Sequence, residues 1–320
     1  MAGMRTTDKI LVAGYRGMVG GALVRALRGR GYSNLLLADR AEVDLIDQAA
    51  VRRFFEAERP AYVFLAAGRV GGIVANNTLR ADFIYDNLMI AANVIRAAHD
   101  FGVTKLLNLG SSCIYPREAP QPLREEYLLT GPLERTNEPY AIAKIAAIKL
   151  CESFRRQYGR NFISAMPTNL YGPGDNFDLT SSHVLPALIR KFHEAKVRGD
   201  ASVIIWGTGA PRREFMHVDD VADAVVCLME RYDDELFVNV GTGDDVTIGD
   251  LARLVSEVVG FRGQLVFDSS KPDGTPRKLM DSSRLSALGW KPRIPLREGI
   301  AQTYAWFVEH VAPGINAQAD

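Results

Sequence analysis

Lys9-Ile-Leu-Val-Ala13 runs directly into Gly14-Tyr-Arg-Gly17-Met-Val-Gly20, and this segment is the strongest indication of the fold. The apolar run predicts a short buried strand, and the glycines predict a tight turn that opens into a helix. Glycines at such a turn let the backbone approach a pyrophosphate, whose charge is met by the amides of the helix N-terminus. A structural turn alone would also account for the glycines, but the strand–turn–helix order favours dinucleotide binding.

Strand and helix signals alternate through the first half of the chain. Apolar runs that predict strands follow at residues 35–38, 62–66, 105–109 and 162–165. Helical patterns separate them at residues 18–30, 48–58, 82–100 and 138–158. Near-continuous apolar strands separated by helices predict an α/β fold with a parallel sheet covered on both faces. Right-handed crossovers make this a doubly wound, Rossmann-type sheet.

The pattern becomes less regular after Pro167. Helices are predicted near residues 184–196, 218–230 and 248–259, and short strands near 203–206, 237–240 and 265–267. Thr247 and Asp250 have the spacing of a capping box at the start of the last of these helices. We expect a dinucleotide-binding domain over residues 1–172. Residues 173–320 are expected to form mainly a smaller substrate domain, with some elements returning to the first.

Composition narrows the class of protein. The 320 residues carry 38 basic and 38 acidic side chains with 47% hydrophobic content, which gives no support for binding nucleic acid or a membrane surface. The polar start lacks a signal-peptide core, and no apolar run approaches the roughly 20 residues that span a bilayer. Cys113, Cys151 and Cys227 show no metal-binding spacing and are an odd number, which indicates a reducing cytoplasm and no metal site. Cys151 and Cys227 are expected to fill the core.

Tyr140-Ala-Ile-Ala-Lys144 places a phenol and an ammonium on one face of a helix. A nearby ammonium lowers the pKa of a phenol, so the pair can exchange a proton with a substrate oxygen. Ser111 follows the fourth strand at the sheet edge where Tyr140 is also expected. Together they predict a carbonyl site in which Ser111 binds the oxygen, Tyr140 donates the proton, and Lys144 tunes Tyr140 and holds the nicotinamide ribose. A solvated helix pair and a loop-capping serine are the alternatives.

The end of the second strand should meet the adenosine ribose, and here the residues conflict. Asp39 can accept a hydrogen bond from a free 2′-hydroxyl, which favours NAD. Arg40 and Arg16 can clamp a 2′-phosphate, which favours NADP. Because two arginines outweigh one carboxylate that need not face the ribose, the sequence favours NADP(H).

Several segments together resemble the extended short-chain dehydrogenases/reductases, in particular the GDP-L-fucose synthase family. The spacing of Gly14, Gly17 and Gly20 and the Tyr140–Lys144 pair are typical of the whole superfamily. Ser111-Ser-Cys-Ile-Tyr-Pro116, Val70-Gly-Gly-Ile73 and Lys271-Pro-Asp-Gly-Thr-Pro276 are more specific to this family. The resemblance covers roughly residues 9–310. Departures are Tyr15, where histidine is frequent, and Asp39 before Arg40.

The resemblance implies NADPH-dependent conversion of GDP-4-keto-6-deoxy-D-mannose to GDP-L-fucose by C3/C5 epimerisation and C4 reduction. It assigns Cys113 and His183 as the acid and base for epimerisation, beside Ser111, Tyr140 and Lys144. A loop thiol and a polar helix start are the alternatives for Cys113 and His183. The resemblance also implies a GDP-sugar substrate, a bifunctional oxidoreductase and epimerase, and a homodimer.

Two sets of binding residues follow from these considerations. The expected cofactor-binding residues are Gly14, Tyr15, Arg16, Gly17, Met18, Val19, Gly20, Arg40, Leu109, Gly110, Ser111, Ser112, Tyr140, Lys144, Pro167, Thr168, Asn169, Leu170 and His183. The expected substrate-binding residues are Lys191, Trp206, Arg213, Asp273 and Lys278, although each has an ordinary surface role as the alternative and Trp206 a core role. Of the other histidines, His217 is expected to be structural, and His99, His193 and His310 are expected to face solvent.

Other functions remain to be weighed. A sugar-nucleotide 4-epimerase would keep its cofactor through turnover. A 4,6-dehydratase usually has an acidic pair where this chain has Ser112 and Cys113, which counts against that activity. A non-catalytic dinucleotide-binding regulator would commonly lack the Tyr140–Lys144 pair. Fold class alone does not separate these possibilities.

Overall fold

The computed structural model describes residues 3–271 and 273–316, and its centre is a parallel six-stranded sheet. The strands are β1 Ile10–Ala13, β2 Leu35–Leu36, β3 Tyr62–Leu65, β4 Lys105–Leu109, β5 Asn161–Pro167, β6 Asn169–Tyr171, β7 Ser202–Trp206, β8 Arg212–Arg213, β9 Phe215–His217, β10 Val238–Val240, β11 Val246–Thr247, β12 Gln264–Asp268 and β13 Arg277–Lys278. The sheet has the order β2-β1-β3-β4-β5-β10 with every neighbouring pair parallel. The doubly wound parallel sheet predicted from the sequence is confirmed.

Helices cover both faces of this sheet. They are α1 Met18–Gly29, α2 Gln48–Glu58, α3 Ile73–Thr78, α4 Arg80–Asp100, α5 Glu138–Tyr158, α6 Val184–Arg198, α7 Val218–Arg231, α8 Ile248–Val259, α9 Ser283–Ala287, α10 Leu296–His310 and α11 Ala312–Asn316. In β1, Ile10 and Val12 face the apolar cluster formed with α1 and α7. Leu11 and Ala13 face the opposite cluster, formed with α2, α4 and α5. Alternate strand residues thus bury both faces, as a parallel sheet requires.

Local sequence explains where several helices begin and end. Asp47 caps α2, because its Oδ1 accepts hydrogen bonds from the amides of Ala49 (2.8 Å) and Ala50 (3.1 Å). Thr247 caps α8 by accepting from the Asp250 amide at 2.9 Å, which confirms the predicted helix start. Helix α5 ends at Gly159, whose φ of 66° is a left-handed conformation that favours glycine.

The second half of the chain forms its own apolar cluster and also contributes to the main sheet. Helices α6, α8 and α10 pack around the paired strands β7 and β12. Strand β10 pairs with β5, and α7 packs on α1, so both belong to the doubly wound layer. The division of the chain at residue 172 stays a prediction. Within residues 3–271 and 273–316, no helix combines the length and apolar character needed to cross a membrane.

Several sequence expectations about histidine exposure and strand positions differ from the structure. His193 was expected to face solvent, but it is only 8% exposed because α10 covers α6, and its Nδ1 lies 3.1 Å from the Tyr304 hydroxyl. His99 is half-buried between aromatic rings of α5, whereas His310 is exposed. The predicted second strand ends at Leu36, and short strands such as β8 and β13 were missed because two residues leave no periodic signal.

Candidate active site

A cavity of about 460 Å³ opens where β1, β2 and β3 end. Gly14 has a φ of 85°, and a Cβ on it would lie 2.7 Å from the Cα of Ala67. A Cβ on Gly20 would overlap the carbonyl oxygen of Gly14. Glycine at these two positions therefore lets α1 begin directly on the turn, and no acidic side chain lies in its first turn. This glycine cradle fits the pyrophosphate of a dinucleotide.

The cavity is lined partly by residues that the sequence singled out and partly by others. Of the expected cofactor-binding residues, Gly14, Tyr15, Arg16, Gly17 and Arg40 line it. Asp39, discussed above as the ribose contact, lines it as well. Sequence reasoning missed Ala38, Val43, Asp44, Leu45, Ile46, Ala67, Gly68, Arg69, Asp86 and Ile90. Ala67, Gly68 and Arg69 follow β3 closely, so the strand-end rule that selected Ser111 would have selected them too.

Gly68 lines the cavity and lies next to Lys144, a member of the predicted Ser111–Tyr140–Lys144 site. A Cβ on Gly68 would lie 2.7 Å from Asn87 Oδ1 and 3.4 Å from Lys144 Nζ. Asn87 fixes this loop, since its side chain accepts from the Arg69 amide at 3.1 Å and donates to the Arg69 carbonyl at 3.0 Å. The loop after β3 thus runs from the glycine-rich turn to Lys144, where the sequence predicts the nicotinamide ribose.

Arginine–carboxylate pairs stand at the end of the cavity next to β2. Arg16 Nη2 lies 2.6 Å from Asp39 Oδ2, and Arg40 Nη2 lies 3.2 Å from Asp44 Oδ2. Hydrogen bonds from the amides of Glu42 and Ala41 are the main reason that the pKa of Asp39 is lowered, so its carboxylate is held ionised. Asp39 lines the cavity, and its carboxylate forms an ion pair with Arg16, which lines the cavity as well.

Ser111, Tyr140 and Lys144 come together at the end of β4. Lys144 Nζ donates a 2.9 Å hydrogen bond to the Leu109 carbonyl and lies 5.7 Å from the centre of the Tyr140 ring. Burial raises the pKa of Tyr140, an effect that the charge of Cys113 reinforces and a hydrogen bond with Ser111 opposes. Burial lowers the pKa of Lys144 to about 8. The expectation that Lys144 lowers the pKa of Tyr140 is therefore wrong, because burial dominates and raises it. Tyr140 is a protonated phenol at neutral pH, the form that can donate a proton.

Cys113 lies in the short 3₁₀ turn Ser112–Ile114 that follows Ser111. All three cysteines are free and buried, as expected for Cys151 and Cys227, and Cys113 is 8% exposed. Burial raises the pKa of the Cys113 thiol, while a hydrogen bond with Ser111 and the ammonium groups of Lys278 and Lys144 oppose this effect. Ser111 Oγ accepts a hydrogen bond from the Cys113 amide at 3.5 Å and influences the pKa of both the thiol and the Tyr140 phenol.

His183 stands immediately before α6 without capping it. Its pKa is lowered because neighbouring groups desolvate it and because Lys278 carries a positive charge nearby. The preceding loop is held by the Gly72 amide, which donates to the Ser181 carbonyl at 2.8 Å. A Cβ on Gly72 would lie 2.7 Å from the Ser182 carbonyl oxygen. The loop that contains Gly72 therefore packs directly against the residues that precede His183.

The expected cofactor contacts after β5 are held by the backbone carbonyl of Glu214, a residue whose buried carboxylate sequence reasoning missed. The Glu214 carbonyl accepts from Thr168 Oγ1 (3.3 Å) and Asn169 Nδ2 (2.8 Å). The Glu214 carboxylate, in a residue with no exposed surface, accepts from the amides of Gly243 (2.7 Å) and Met280 (2.9 Å). The motif Arg213-Glu-Phe could have indicated this role. A carboxylate next to a residue that is expected to be buried needs hydrogen-bond donors, because burial of an unpaired charge is costly.

Trp206, the aromatic residue expected to contact the nucleotide part of the substrate, is exposed to solvent. Trp206 at the end of β7 is 59% exposed, which excludes the core alternative. Lys191 Nζ lies 5.3 Å and Lys271 Nζ 5.7 Å from the centre of its ring. Lys191 belongs to α6, and its pKa is lowered by burial. An exposed indole beside two ammonium groups can stack on a base while the cations meet phosphate oxygens.

Arg213 and Lys278 are neighbours in the parallel strands β8 and β13. Burial lowers the pKa of both, and within the described part of the chain neither forms an ion pair with a carboxylate. Lys278 shares a small second cavity with Cys113 and Glu134, so it lies nearer to the thiol than the sequence indicated. Asp273 accepts from the amide (2.7 Å) and hydroxyl (2.8 Å) of Thr208, which ties its loop to the end of β7.

Among the described residues, no group of three or more His, Cys, Asp or Glu side chains is arranged to hold a metal ion. The site instead consists of three connected parts. A glycine cradle with paired charges leads to a Ser–Tyr–Lys group, and this group adjoins a buried thiol and a cationic, partly aromatic surface. Such an arrangement can bind a dinucleotide, protonate a substrate oxygen and exchange protons on carbon.

Comparison with known proteins identifies the relatives of this chain. Residues 10–241 match the model of the NAD dependent epimerase/dehydratase family. The chain is 61% identical over 303 residues to GDP-L-fucose synthase 1 of Arabidopsis thaliana, covering 95% of this chain and 94% of the relative. It is 56% identical over 312 residues to the GDP-L-fucose synthase of Escherichia coli strain K12, covering 95% and 97%. A crystal structure of a GDP-L-fucose synthetase from Naegleria fowleri bound to NADP is similar, with a TM-score of 0.90, 30% identity and 97% coverage of both chains.

Proposed function

The chain belongs to the NAD dependent epimerase/dehydratase family, and we propose that it converts GDP-4-keto-6-deoxy-D-mannose to GDP-L-fucose with NADPH as reductant. The conversion inverts C3 and C5 and reduces the ketone at C4. One observation carries the proposal: Ser111 lies beside both reactive groups, because its hydroxyl accepts from the Cys113 amide at 3.5 Å and opposes the rise in pKa of both the Tyr140 phenol and the Cys113 thiol. A proton donor for the ketone oxygen and a candidate acid–base group therefore share one polar partner.

NADP(H) is the proposed cofactor, held by the glycine cradle and the residues expected from the sequence. The NADP-bound relative and the fit of the cradle support this assignment. When bound, the cofactor supplies a hydride to C4 of the sugar. Arg16 and Arg40 are the candidate contacts for its 2′-phosphate, and Lys144 is the candidate contact for the nicotinamide ribose, close to the loop at Gly68.

In the reduction, Tyr140 is proposed to donate its proton to the C4 oxygen. Its raised pKa keeps the proton on the phenol until a stronger base, the developing alkoxide, approaches. Ser111 is proposed to hold the same oxygen by a hydrogen bond. Lys144, 5.7 Å from the Tyr140 ring, stabilises the phenolate that remains until it is reprotonated from solvent.

In the epimerisations, Cys113 and His183 are proposed to exchange protons at C3 and C5. The C4 ketone acidifies the hydrogens on both neighbouring carbons, because the resulting enolate places its charge on the C4 oxygen. Removal of a proton from one face and its return from the other inverts each centre. Hydrogen bonds from Ser111 and Tyr140 to the C4 oxygen would stabilise the enolate, so one group of residues would serve both reactions.

The nucleotide end is proposed to lie between α6 and the strands β7, β8 and β13. Arg213 and Lys191 supply positive charge for a diphosphate, and Trp206 supplies a face for the guanine or ribose. Asp273 positions the loop beside Trp206 through Thr208. Lys278 is proposed to contact substrate between this region and Cys113.

The assay that tests the proposal adds freshly prepared GDP-4-keto-6-deoxy-D-mannose and NADPH to the purified protein. We expect stoichiometric NADPH oxidation, GDP-L-fucose as product, and incorporation of solvent deuterium at C3 and C5. No NADPH oxidation would contradict the proposal. Oxidation without deuterium incorporation would reduce the function to a 4-reductase, and turnover without net NADPH consumption would favour the 4-epimerase alternative.

A homodimer formed through α4 and α5 is part of the proposal. These helices run side by side, and Tyr85 (57% exposed) and Ile142 (42% exposed) present apolar surface near their first turns. A second copy would cover them in a four-helix contact. Light scattering should report a dimer, and the pair Tyr85→Glu and Ile142→Glu should yield a monomer, whereas Leu236→Glu should not. A monomeric unmodified protein would contradict this part.

A cytoplasmic location is also proposed. Three free, buried cysteines support it, because such thiols persist in a reducing compartment. Fractionation of cells that express the untagged protein should place the activity with a cytoplasmic marker, and recovery with an exported marker would contradict this location.

A further inference from the structure

Each arginine that lines the dinucleotide cavity is paired with a carboxylate that also lines it, and Arg69 has a second carboxylate partner, Asp82, at 3.3 Å. The pairs are Arg16 with Asp39 at 2.6 Å, Arg40 with Asp44 at 3.2 Å, and Arg69 with Asp86 at 2.8 Å. A 2′-phosphate carries about −1.5 to −2 charges, like other phosphate monoesters. It would therefore meet arginines whose charges are already balanced by carboxylates of the protein.

Within the first pair, Asp39 is the fixed partner and Arg16 the adaptable one. Asp39 Oδ1 accepts from the amides of Ala41 (2.8 Å) and Glu42 (3.1 Å), and its side chain is 19% exposed. The Arg16 side chain is 71% exposed; among the described residues its partners are Asp39 and Tyr15, whose hydroxyl accepts a 3.0 Å hydrogen bond and whose ring centre lies 5.7 Å from the guanidinium carbon. The ion pair with Asp39 therefore sets the orientation of the Arg16 guanidinium.

We propose that Asp39 determines the cofactor specificity of this chain by drawing Arg16 away from a 2′-phosphate and by offering Oδ2, the oxygen that also pairs with Arg16, as an acceptor to a 2′-hydroxyl. The chain would then bind NAD(H) as well as NADP(H). Its preference for NADP(H) would be weaker than that of a site in which both Arg16 and Arg40 were free to bind the 2′-phosphate. This inference rests on the proposed function for the site at which it acts. It concerns the balance of two cofactors, not the reaction at the sugar.

Asp39→Asn is the informative variant because the asparagine oxygen can still accept from the amides of Ala41 and Glu42 while the charge is removed. We expect NADP⁺ to bind about fivefold more tightly to this variant, the size of an exposed ion pair, and NAD⁺ to change little. Calorimetric titration with each dinucleotide, in the absence of sugar nucleotide, gives both dissociation constants. The gain should shrink as salt is added, because the charges are exposed. Asp39→Ser, which also retains an acceptor, guards against a folding defect in the first variant.

Arg16→Gln supplies the second arm of the test. If Asp39 restrains Arg16, this change should weaken NADP⁺ binding more in the Asp39→Asn background than in the unmodified chain. Equal losses in both backgrounds would overturn the proposal, as would unchanged NADP⁺ and NAD⁺ affinities in both Asp39 variants. Binding of both dinucleotides without turnover of the sugar nucleotide would contradict the proposed function and still support the role of Asp39. An unmodified protein that binds neither would overturn both.

Discussion

Lys144 Nζ donates a 2.9 Å hydrogen bond to the carbonyl oxygen of Leu109. This contact joins α5, which carries Tyr140, to the last residue of β4, two positions before Ser111. The relative positions of the phenol, the ammonium and the serine hydroxyl are thereby set by a strand and a helix instead of a free loop. A side chain expected to tune its neighbour also aligns the site.

We expect the contribution of Lys144 to stability to depend on pH. Burial lowers its pKa from 10.5 to about 8 in the folded chain. Between these values the unfolded chain binds more protons, so the free energy of unfolding rises with pH relative to a Lys144→Met variant. The difference should grow by up to about 3 kcal/mol across this window, measured by urea unfolding. Lys149→Met, on the exposed face of α5, should show no such trend. A difference that falls as the pH rises would contradict this account.

Tyr140→Phe should separate reduction from epimerisation. The variant loses the proton donor, so NADPH oxidation should fall by about 10²- to 10⁴-fold. Deuterium incorporation at C3 and C5 should fall far less, because Cys113 and His183 are intact. Tyr158→Phe, at the far end of α5 and 49% exposed, is the matched control and should retain both activities. Equal losses of the two activities would contradict the assignment of Tyr140 as the proton donor of the reduction, because loss of its hydrogen bond to the enolate oxygen would then account for both.

Lys278→Met should raise the pKa of the Cys113 thiol. The Lys278 ammonium favours the thiolate, and its removal leaves burial less opposed. The pH at which iodoacetamide alkylates Cys113 at half its maximal rate should therefore rise. The modified cysteine is identified by peptide mass spectrometry. Lys271→Met, near Trp206 instead of the thiol, should leave the profile unchanged. The same profile in both variants would mean that Lys278 does not influence Cys113.

Glu214→Ala should destabilise the protein strongly. The change leaves the buried amide of Met280 and the part-buried amide of Gly243 without their acceptor, at a cost of roughly 2–4 kcal/mol in the free energy of unfolding. Glu214→Gln, which keeps one acceptor oxygen, should cost less. Glu309→Ala on the exposed face of α10 should change stability by less than about 0.5 kcal/mol. Near-neutral values for both Glu214 variants, measured by denaturant unfolding, would refute the structural role of this carboxylate.

The parts of the site that sequence reasoning predicted are those set by regular structure. Ser111 follows a buried strand, and Tyr140 and Lys144 share a helix face, so two simple rules bring them together. The glycine turn is likewise local. Their positions follow from the fold class, which the alternation of strands and helices had already indicated.

The parts that could not be predicted depend on contacts between distant segments. The Arg16–Asp39 pair joins two loops. The periodicity of a sequence does not predict which arginine will form an ion pair with a given carboxylate. Lys278 reaches Cys113 only because β13 pairs with β8. His193 is buried by Tyr304 and Phe307 from α10, more than a hundred positions later, so its own helix pattern gave the wrong expectation.

Strand β10 has a consequence for synthesis of the protein on the ribosome. In the sheet, β5 lies between β4 and β10, so one edge of β5 has no partner until Val238–Val240 has emerged. Helix α7, which covers α1, is also translated after residue 217. At about 5–20 residues per second, a nascent chain with the first five sheet strands exposes an unpaired edge and apolar surface for several seconds. The dinucleotide-binding layer is thus completed only after most of the polypeptide has been translated.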